Sequence, residues 1–267
     1  MSDSSVKLYQ TRSGPMLALV TDQYVTQSIA LYGEYCPAEA NALKRAIKPG
    51  MTVVEVGANM GSHSVEMARA CAPGRFYAFE PQPRLFQILC ANLALNDVGN
   101  AFAYPDACGE AEGEAIVPLV DYTRAGNFGG ISLRGAECPG ITVRVRPLDS
   151  LNLPACGLLK VDVEGFEAQV IRGARDTILR CRPIIYIEND RADRQQELIS
   201  LIAGLGYRLY WHTPALYDPA NFNGEARNVF PGICSLNMVC LPREIGANVR
   251  GAQEIDPANW SSPIKLA

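Results

Sequence analysis

A short apolar run that breaks into a glycine-bracketed loop and then a helix constrains this chain most. Thr52–Val56 is β-branched and apolar, Gly57-Ala58-Asn59-Met60-Gly61 follows, and Ser62–Cys71 has helical patterning. The same strand–helix alternation continues. Arg75–Phe79 reads as a strand, Pro83–Leu95 as a helix and Ala101–Tyr104 as a strand. Later come strand Leu158–Val163, helix Phe166–Arg180, strand Pro183–Ile187 and helix Arg194–Leu205. Alternation of this kind predicts an α/β fold, with a mostly parallel sheet covered by helices on both faces. The last strands, Tyr207–Trp211 and Leu236–Leu241, have no clear helix between them, so the sheet should end on an antiparallel strand. Glu114–Val120, Ile131–Leu133 and Ile141–Val145 predict a small β insertion.

Upstream, residues to about Ser13 look loose. Met16–Val20 and Tyr24–Leu31 suggest a hairpin about Thr21-Asp22-Gln23, and Pro37–Ile47 a helix that stops at Pro49-Gly50. The expected organisation is an N-terminal arm over 1–36, one catalytic-sized domain over 37–245 and a tail over 246–267. With 267 residues such a domain buries a core without disulfides or a structural metal. The nine cysteines are odd in number, irregularly spaced and lack a CxxC, as expected of free thiols in a reducing, cytoplasmic setting. The N-terminus does not read as a secretory signal, and no run approaches the ~18 apolar residues of a membrane span. A formal net charge of −4 and scattered arginines argue against a nucleic-acid partner.

Ligands of such sheets bind beyond the carboxyl ends of the strands. There Gly57 lets the backbone turn off the strand, and Gly61 lets the loop approach a ligand ahead of a helix N-terminus. Glu80 ends the next strand, placed to accept both ribose hydroxyls of a nucleoside. A dinucleotide loop needs GxGxxG, but Asn59 stands where the second glycine would be. S-adenosyl-L-methionine has no pyrophosphate and does not require that glycine, which leaves an NAD-dependent oxidoreductase as the weaker reading. Asp106, before Ala107, could take an adenine amino group or simply form a turn after Pro105. Asp162, Glu164 and Glu167 crowd the fourth strand end, as helix-start acids or as groups facing a reaction centre.

These segments together resemble a known family. Gly57-Ala58-Asn59 through Gly61, Phe79-Glu80-Pro81, and Lys160-Val161-Asp162-Val163-Glu164-Gly165-Phe166-Glu167 are similar to the FkbM family of methyltransferases. Tyr32-Gly33-Glu34 and the stretch Ser235–Glu244 are similar too, so the resemblance runs from about residue 22 to residue 244. Glu55 departs from it conservatively, since the family more often has Asp there. The resemblance implies a Rossmann-like class I methyltransferase fold with a seven-stranded, mostly parallel sheet. It also implies S-adenosyl-L-methionine as donor, O-methylation of a sugar, glycan or natural product, and a donor site over Glu55, Gly57, Ala58, Asn59, Gly61, His63, Glu80, Pro81, Asp106, Ala107 and Asp162.

Methyl transfer to a hydroxyl needs alignment with the sulfonium methyl and somewhere for the proton to go. Asp162, Glu164, His63 and His212 are the candidates for that base. Thr213–Gly232, rich in Pro, Asn and aromatics, predicts an acceptor lid, with Tyr217, Phe222 and Asn228 placed to hold a sugar-like face. No metal is expected, although Asp162, Glu164, Glu188 and Asp190 offer oxygen ligands for a hard divalent ion as an alternative. A nucleic-acid methylase and a non-catalytic adenosyl-binding module are the other readings, and a homo-oligomer stays open.

Overall fold

The protein, seen in a computed structural model, is described over residues 5–133 and 137–264. Residues 1–4 of the N-terminal stretch expected to be loose and 265–267 of the expected tail lie outside the described residues. Val6–Thr11 (β1) and Gly14–Leu19 (β2) form an antiparallel hairpin in register Val6↔Leu19. The hairpin therefore lies one element earlier than the sequence suggested, and Val25–Tyr32 (α1) is a helix. Asp22 decides this locally: its Oδ1 accepts the N–H of Tyr24 at 3.2 Å and of Thr26 at 2.9 Å, which holds the first helical turn. Val25, Ile29 and Tyr32 then fall on one buried face at helical spacing. Pro37–Ala46 (α2) follows with proline in its first turn.

The main sheet takes Val53–Val56 (β3), Phe76–Phe79 (β4) and Ala101–Tyr104 (β5), joined by Ser64–Cys71 (α3) and Pro83–Leu95 (α4). Ala107–Cys108 (β6), Gly113–Pro118 (β7) and Gly140–Arg146 (β8) form a separate three-stranded sheet. The strand expected at 131–133 is absent. Ile131 and Leu133 instead point their side chains into a crevice described below. Leu158–Val161 (β9) returns to the main sheet. The single helix expected over 166–180 is broken into Glu167–Gly173 (α5) and Arg175–Cys181 (α6). Gly173 marks the break, because a Cβ there would lie 1.9 Å from the carbonyl oxygen of Gly109. Ile184–Glu188 (β10), Gln195–Gly204 (α7), Tyr207–His212 (β11) and Asn237–Pro242 (β12) complete the expected seven strands, and Glu254–Ile255 (β13) adds a short eighth at the edge.

The sheet order is β13-β11-β12-β10-β9-β3-β4-β5. All central pairs are parallel, and β12 runs antiparallel between β10 and β11. Strands buried on both faces read as continuous apolar runs, which is why β3, β4 and β9 are buried at every position. From β3 the chain proceeds outward through β4 and β5, then returns to β9 on the other side of β3. The crevice of a doubly wound sheet opens at that reversal. All nine cysteines are free thiols, and among the described residues no helix is long and apolar enough to cross a membrane.

Candidate active site

At the reversal, β3 and β9 end side by side. The N–H of Asp162 donates to the carbonyl of Val56 at 2.9 Å, and a Cβ on Gly57 would sit 1.7 Å from the carbonyl oxygen of Asp162. Gly57 has φ +87°, so close approach and backbone conformation both call for glycine. The N–H groups of Gly57 and Ala58 both donate to the carbonyl of Phe79, and Asn59 takes φ +52°. The Asn59 N–H then donates to Glu80 Oε2 at 2.8 Å, and the Gln82 N–H to Glu80 Oε1 at 2.8 Å. Glu80 thus pins the loop to the end of β4 while only 4% exposed. Burial raises its carboxyl to about 7, against the pull of those two amides. Gly61, expected to let the loop approach a ligand, is not among the residues lining the two spaces that flank Glu80. Its N–H closes a turn onto Ala58, and a Cβ would press on Leu89 at 2.9 Å, so it packs the loop against α4.

Two adjoining spaces flank Glu80. The narrower, about 40 Å³, runs between Phe79, Pro81, Asp106, Ala107, Ile131 and Phe166. Asp106 reaches it already paired, with Arg146 Nε at 2.9 Å from its Oδ2. The wider cavity, about 360 Å³, takes in Glu55, Ala58, Asn59, His63 and Glu188, with Tyr24 and Tyr35 as aromatic walls. Gly57, Glu80, Gln82, Gly129, Asp162 and Glu164 line both. The loop at 127–130 reaches the cavity through Asn127 and Gly129, held by Gln82 Nε2 donating to the Phe128 carbonyl at 2.8 Å.

The cavity wall carries a buried charge cluster whose members lie far apart along the chain. Lys160 Nζ stands 3.1 Å from Asp162, 3.7 Å from Glu55 and 3.8 Å from Glu39. Those carboxylates hold its ammonium pKa up despite burial. Glu55 also accepts the Ser64 hydroxyl at 2.5 Å, and burial raises it to about 7. Its bonds therefore go to Ser64 and Lys160 as much as to the cavity it lines. Glu39 comes from the first turn of α2, where an acid reads as ordinary helix-start patterning. Its Oε1 is 3.6 Å from His63 Nε2, and its Oε2 accepts the Asn237 amide at 3.2 Å.

His63 is 5% exposed, stands against Tyr35 with ring centroids 5.5 Å apart, and has no hydrogen bond on either ring nitrogen. Burial first, then the Lys160 charge, lowers it to about 3, so the imidazole is neutral. His212 is not on the cavity wall. Its Nδ1 meets the Tyr186 hydroxyl at 2.8 Å behind Asn237, because the strand end where it lies is flanked by β12. Glu164 is ion-paired with Arg191 and raised to about 7 by burial, with Asp162 and Asp190 adding to the effect.

The expected acceptor lid is corrected as well. Tyr217 packs on Tyr32 with its ring tilted by 60°, and Asn228 accepts the Phe230 N–H. Phe222 is 49% exposed, with its N–H on Glu34. Tyr217 holds the stretch 213–232 against α1, Phe222 ties it to Glu34 just after that helix, and Asn228 fixes a turn within it. Leu216 and the run 233–236 are the parts that reach the cavity.

These shifts set a pH dependence of folding. Glu55, Glu80 and Glu164 titrate near 7 folded and near 4.5 unfolded, so the native chain binds more protons between those values and loses stability as pH rises through them. His63 acts in the opposite sense, gaining stability from about 3 up to 6.5, and offsets part of the loss below 6.5. In the ligand-free protein we expect a net loss on the order of 2–4 kcal/mol between pH 5.5 and 8. Calorimetric melting across that range checks it, and a melting temperature that stays flat or rises would contradict the assignment.

The family model for the methyltransferase FkbM domain matches residues 55–209. Methyltransferase sdnD of Sordaria araneosa is 29% identical, over 45% of this chain and 59% of that protein. Methyltransferase 1 of Beauveria bassiana (strain ARSEF 2860) is also 29% identical, over 46% and 58%. The chain therefore spans less than two thirds of the length of these fungal relatives. Among solved structures, wild-type Trm5b of Pyrococcus abyssi superposes with a TM-score of 0.50 at 12% identity, over 90% of this chain and 56% of that one. Methyltransferase FkbM of Methylobacillus flagellatus KT gives 0.48 at 17% identity, over 73% and 44%.

Proposed function

The chain belongs to the FkbM methyltransferase domain family, and from that premise we propose that it is an S-adenosyl-L-methionine-dependent O-methyltransferase acting on a hydroxyl of a sugar, glycan or natural product. Glu80 carries this reading: a sealed carboxylate at the end of β4 that lines both the narrow crevice and the wide cavity. The residues present fit the donor. Gly57 lets the end of β3 turn against Asp162 and lines both spaces, and Glu80 has a second lone pair on each oxygen for ribose hydroxyls. Phe79, Pro81, Ala107 and Phe166 give the crevice the flat apolar walls an adenine needs. When bound, the donor supplies a methyl group activated by its sulfonium charge.

The chain's own part is orientation and proton removal. His63, neutral and without a partner on either nitrogen, faces the cavity and can take the proton of an acceptor hydroxyl. Methylation makes that oxygen far more acidic than an imidazolium, so even a weakly basic His63 suffices. Glu39 beside it offsets the charge that His63 then gains. Asp162, where crevice and cavity meet, is fixed by Lys160 and bridges the two ligand spaces. The free thiols suit a reducing, cytoplasmic setting.

Calorimetric titration with adenosylmethionine, adenosylhomocysteine and NAD tests the reading. Both adenosyl ligands should bind and NAD should not, and Glu80→Ala should weaken adenosylhomocysteine about tenfold or more. NAD binding, or adenosyl affinity untouched by Glu80→Ala, would overturn it.

A further inference from the structure

The wide cavity is lined by the carboxylates of Glu39, Glu55, Glu80, Asp162, Glu164, Glu188 and Asp190, against the one cationic side chain, Lys160, among the described residues. Most have a protein partner. Lys160 serves Glu39, Glu55 and Asp162, Arg191 serves Glu164 and Asp190, and two backbone amides serve Glu80. Glu188, at the end of β10, is the exception. Its Oε2 is shut off from solvent, has no hydrogen-bond partner, and belongs to a side chain on the cavity wall. A carboxylate oxygen in that position is costly unless a cation or a proton meets it.

Asp162, Glu164 and Glu188 each bring one oxygen within 4.8 Å of the others. An ion of the Mg²⁺ class holds its oxygens at about 2.0–2.2 Å, so two of its ligands stand at most about 4.4 Å apart. Small side-chain rotations bring three oxygens within 4.8 Å of one another into a single coordination sphere. Lys160 donates only to Oδ2 of Asp162 and Arg191 only to Oε2 of Glu164, so neither bond uses the second oxygen of its carboxylate. The three residues come from two adjacent strand ends, β9 and β10, whose pairing in register Val161↔Ile187 fixes their spacing.

We propose that Asp162, Glu164 and Glu188 bind one hard divalent cation of the Mg²⁺ or Mn²⁺ class at the floor of the acceptor cavity. The inference deepens the reading of the site as an O-methyltransferase. With three protein oxygens the ion keeps positions open for solvent or for an acceptor hydroxyl oxygen. An acceptor bound there would be held by its oxygen, and its hydroxyl proton made easier to lose. That matters because His63 is held neutral and weakly basic by its surroundings. In the transfer the O–H proton passes to His63, the methyl–sulfur bond breaks with its electrons going to sulfur, and the carbon–oxygen bond forms. The ion changes no oxidation state.

The test is calorimetric titration of the whole, metal-stripped chain with Mn²⁺, with electron paramagnetic resonance counting bound ions. One site per chain is expected. Glu188→Gln keeps the shape of the side chain and should weaken Mn²⁺ at least tenfold, with melting of the metal-free chain no lower and adenosylhomocysteine affinity unchanged. Glu164→Gln is the second variant should the first fold poorly, and it should weaken Mn²⁺ to a similar extent. No stoichiometric Mn²⁺ binding overturns the proposal, as does binding that both variants leave intact. Loss of adenosylhomocysteine affinity in Glu188→Gln without Mn²⁺ binding to the parent also overturns it, because the acids would then serve the donor. Adenosyl binding is read separately through Glu80→Ala, so failure of the metal site and failure of the donor reading give different results.

Discussion

Replacing Lys160 with methionine is expected to destabilise the protein by about 3–5 kcal/mol at pH 8, a fall in melting temperature on the order of 10 °C. The side chain is 3% exposed and lies within 4 Å of Asp162, Glu55 and Glu39. Methionine fills much of the same volume, so lost packing is the smaller effect. The larger one is that Glu55 and Glu39, almost sealed from water, lose their counterion and must either hold an uncompensated charge or take up a proton at pH 8. The pH dependence separates these causes. Glu55 already titrates near 7 with Lys160 beside it, and removing the ammonium pushes that value higher. At pH 5.5 Glu55 is protonated and the loss should shrink toward the packing cost. A destabilisation equal at pH 5.5 and pH 8 would mean that Lys160 acts as a space-filler and that the cluster is not electrostatic.

The second large effect is kinetic. Exchanging His63 for phenylalanine retains the ring contact with Tyr35 and removes both unpartnered nitrogens. If His63 takes the acceptor's proton, kcat should fall about 10²–10⁴-fold. Adenosylhomocysteine affinity should stay within a few-fold, since Glu80 and the Gly57 loop are untouched. His212→Phe provides the contrast: its ring lies behind Tyr186 and Asn237, and kcat should hold within a few-fold. Turnover that survives in the His63 variant would leave alignment of the oxygen as the protein's whole contribution.

What could be read in advance was local. The continuous apolar runs at 53–56, 76–79 and 158–161 announce strands buried on both faces, and the helices between them require parallel pairing. Gly57 and Glu80 stand out for the same reason, since the strand–turn–helix that needs them is a stretch of a few residues. Local patterning misled where two structures share one signature. Val25–Tyr32 is apolar and β-leaning, and only the Asp22 side chain on the Thr26 and Tyr24 amides commits it to helix. The aromatic stretch at 213–232 reads as a lid until Tyr32 and Phe230 show that α1 occupies its apolar side.

The sheet, the glycine turn and the acid beside it are written in short stretches of chain, because φ angles, hydrogen bonds to neighbouring amides and apolar periodicity all act locally. Which ionisable groups share the cavity depends on the three-dimensional fold. It drew Glu39 from α2 and Lys160 from β9 to within 3.8 Å, left His63 beside Glu39 without a hydrogen bond, and turned His212 onto Tyr186. Charge interactions in a buried, low-dielectric interior depend on distance in space and on exclusion of water, and neither is encoded in the spacing of residues along the chain.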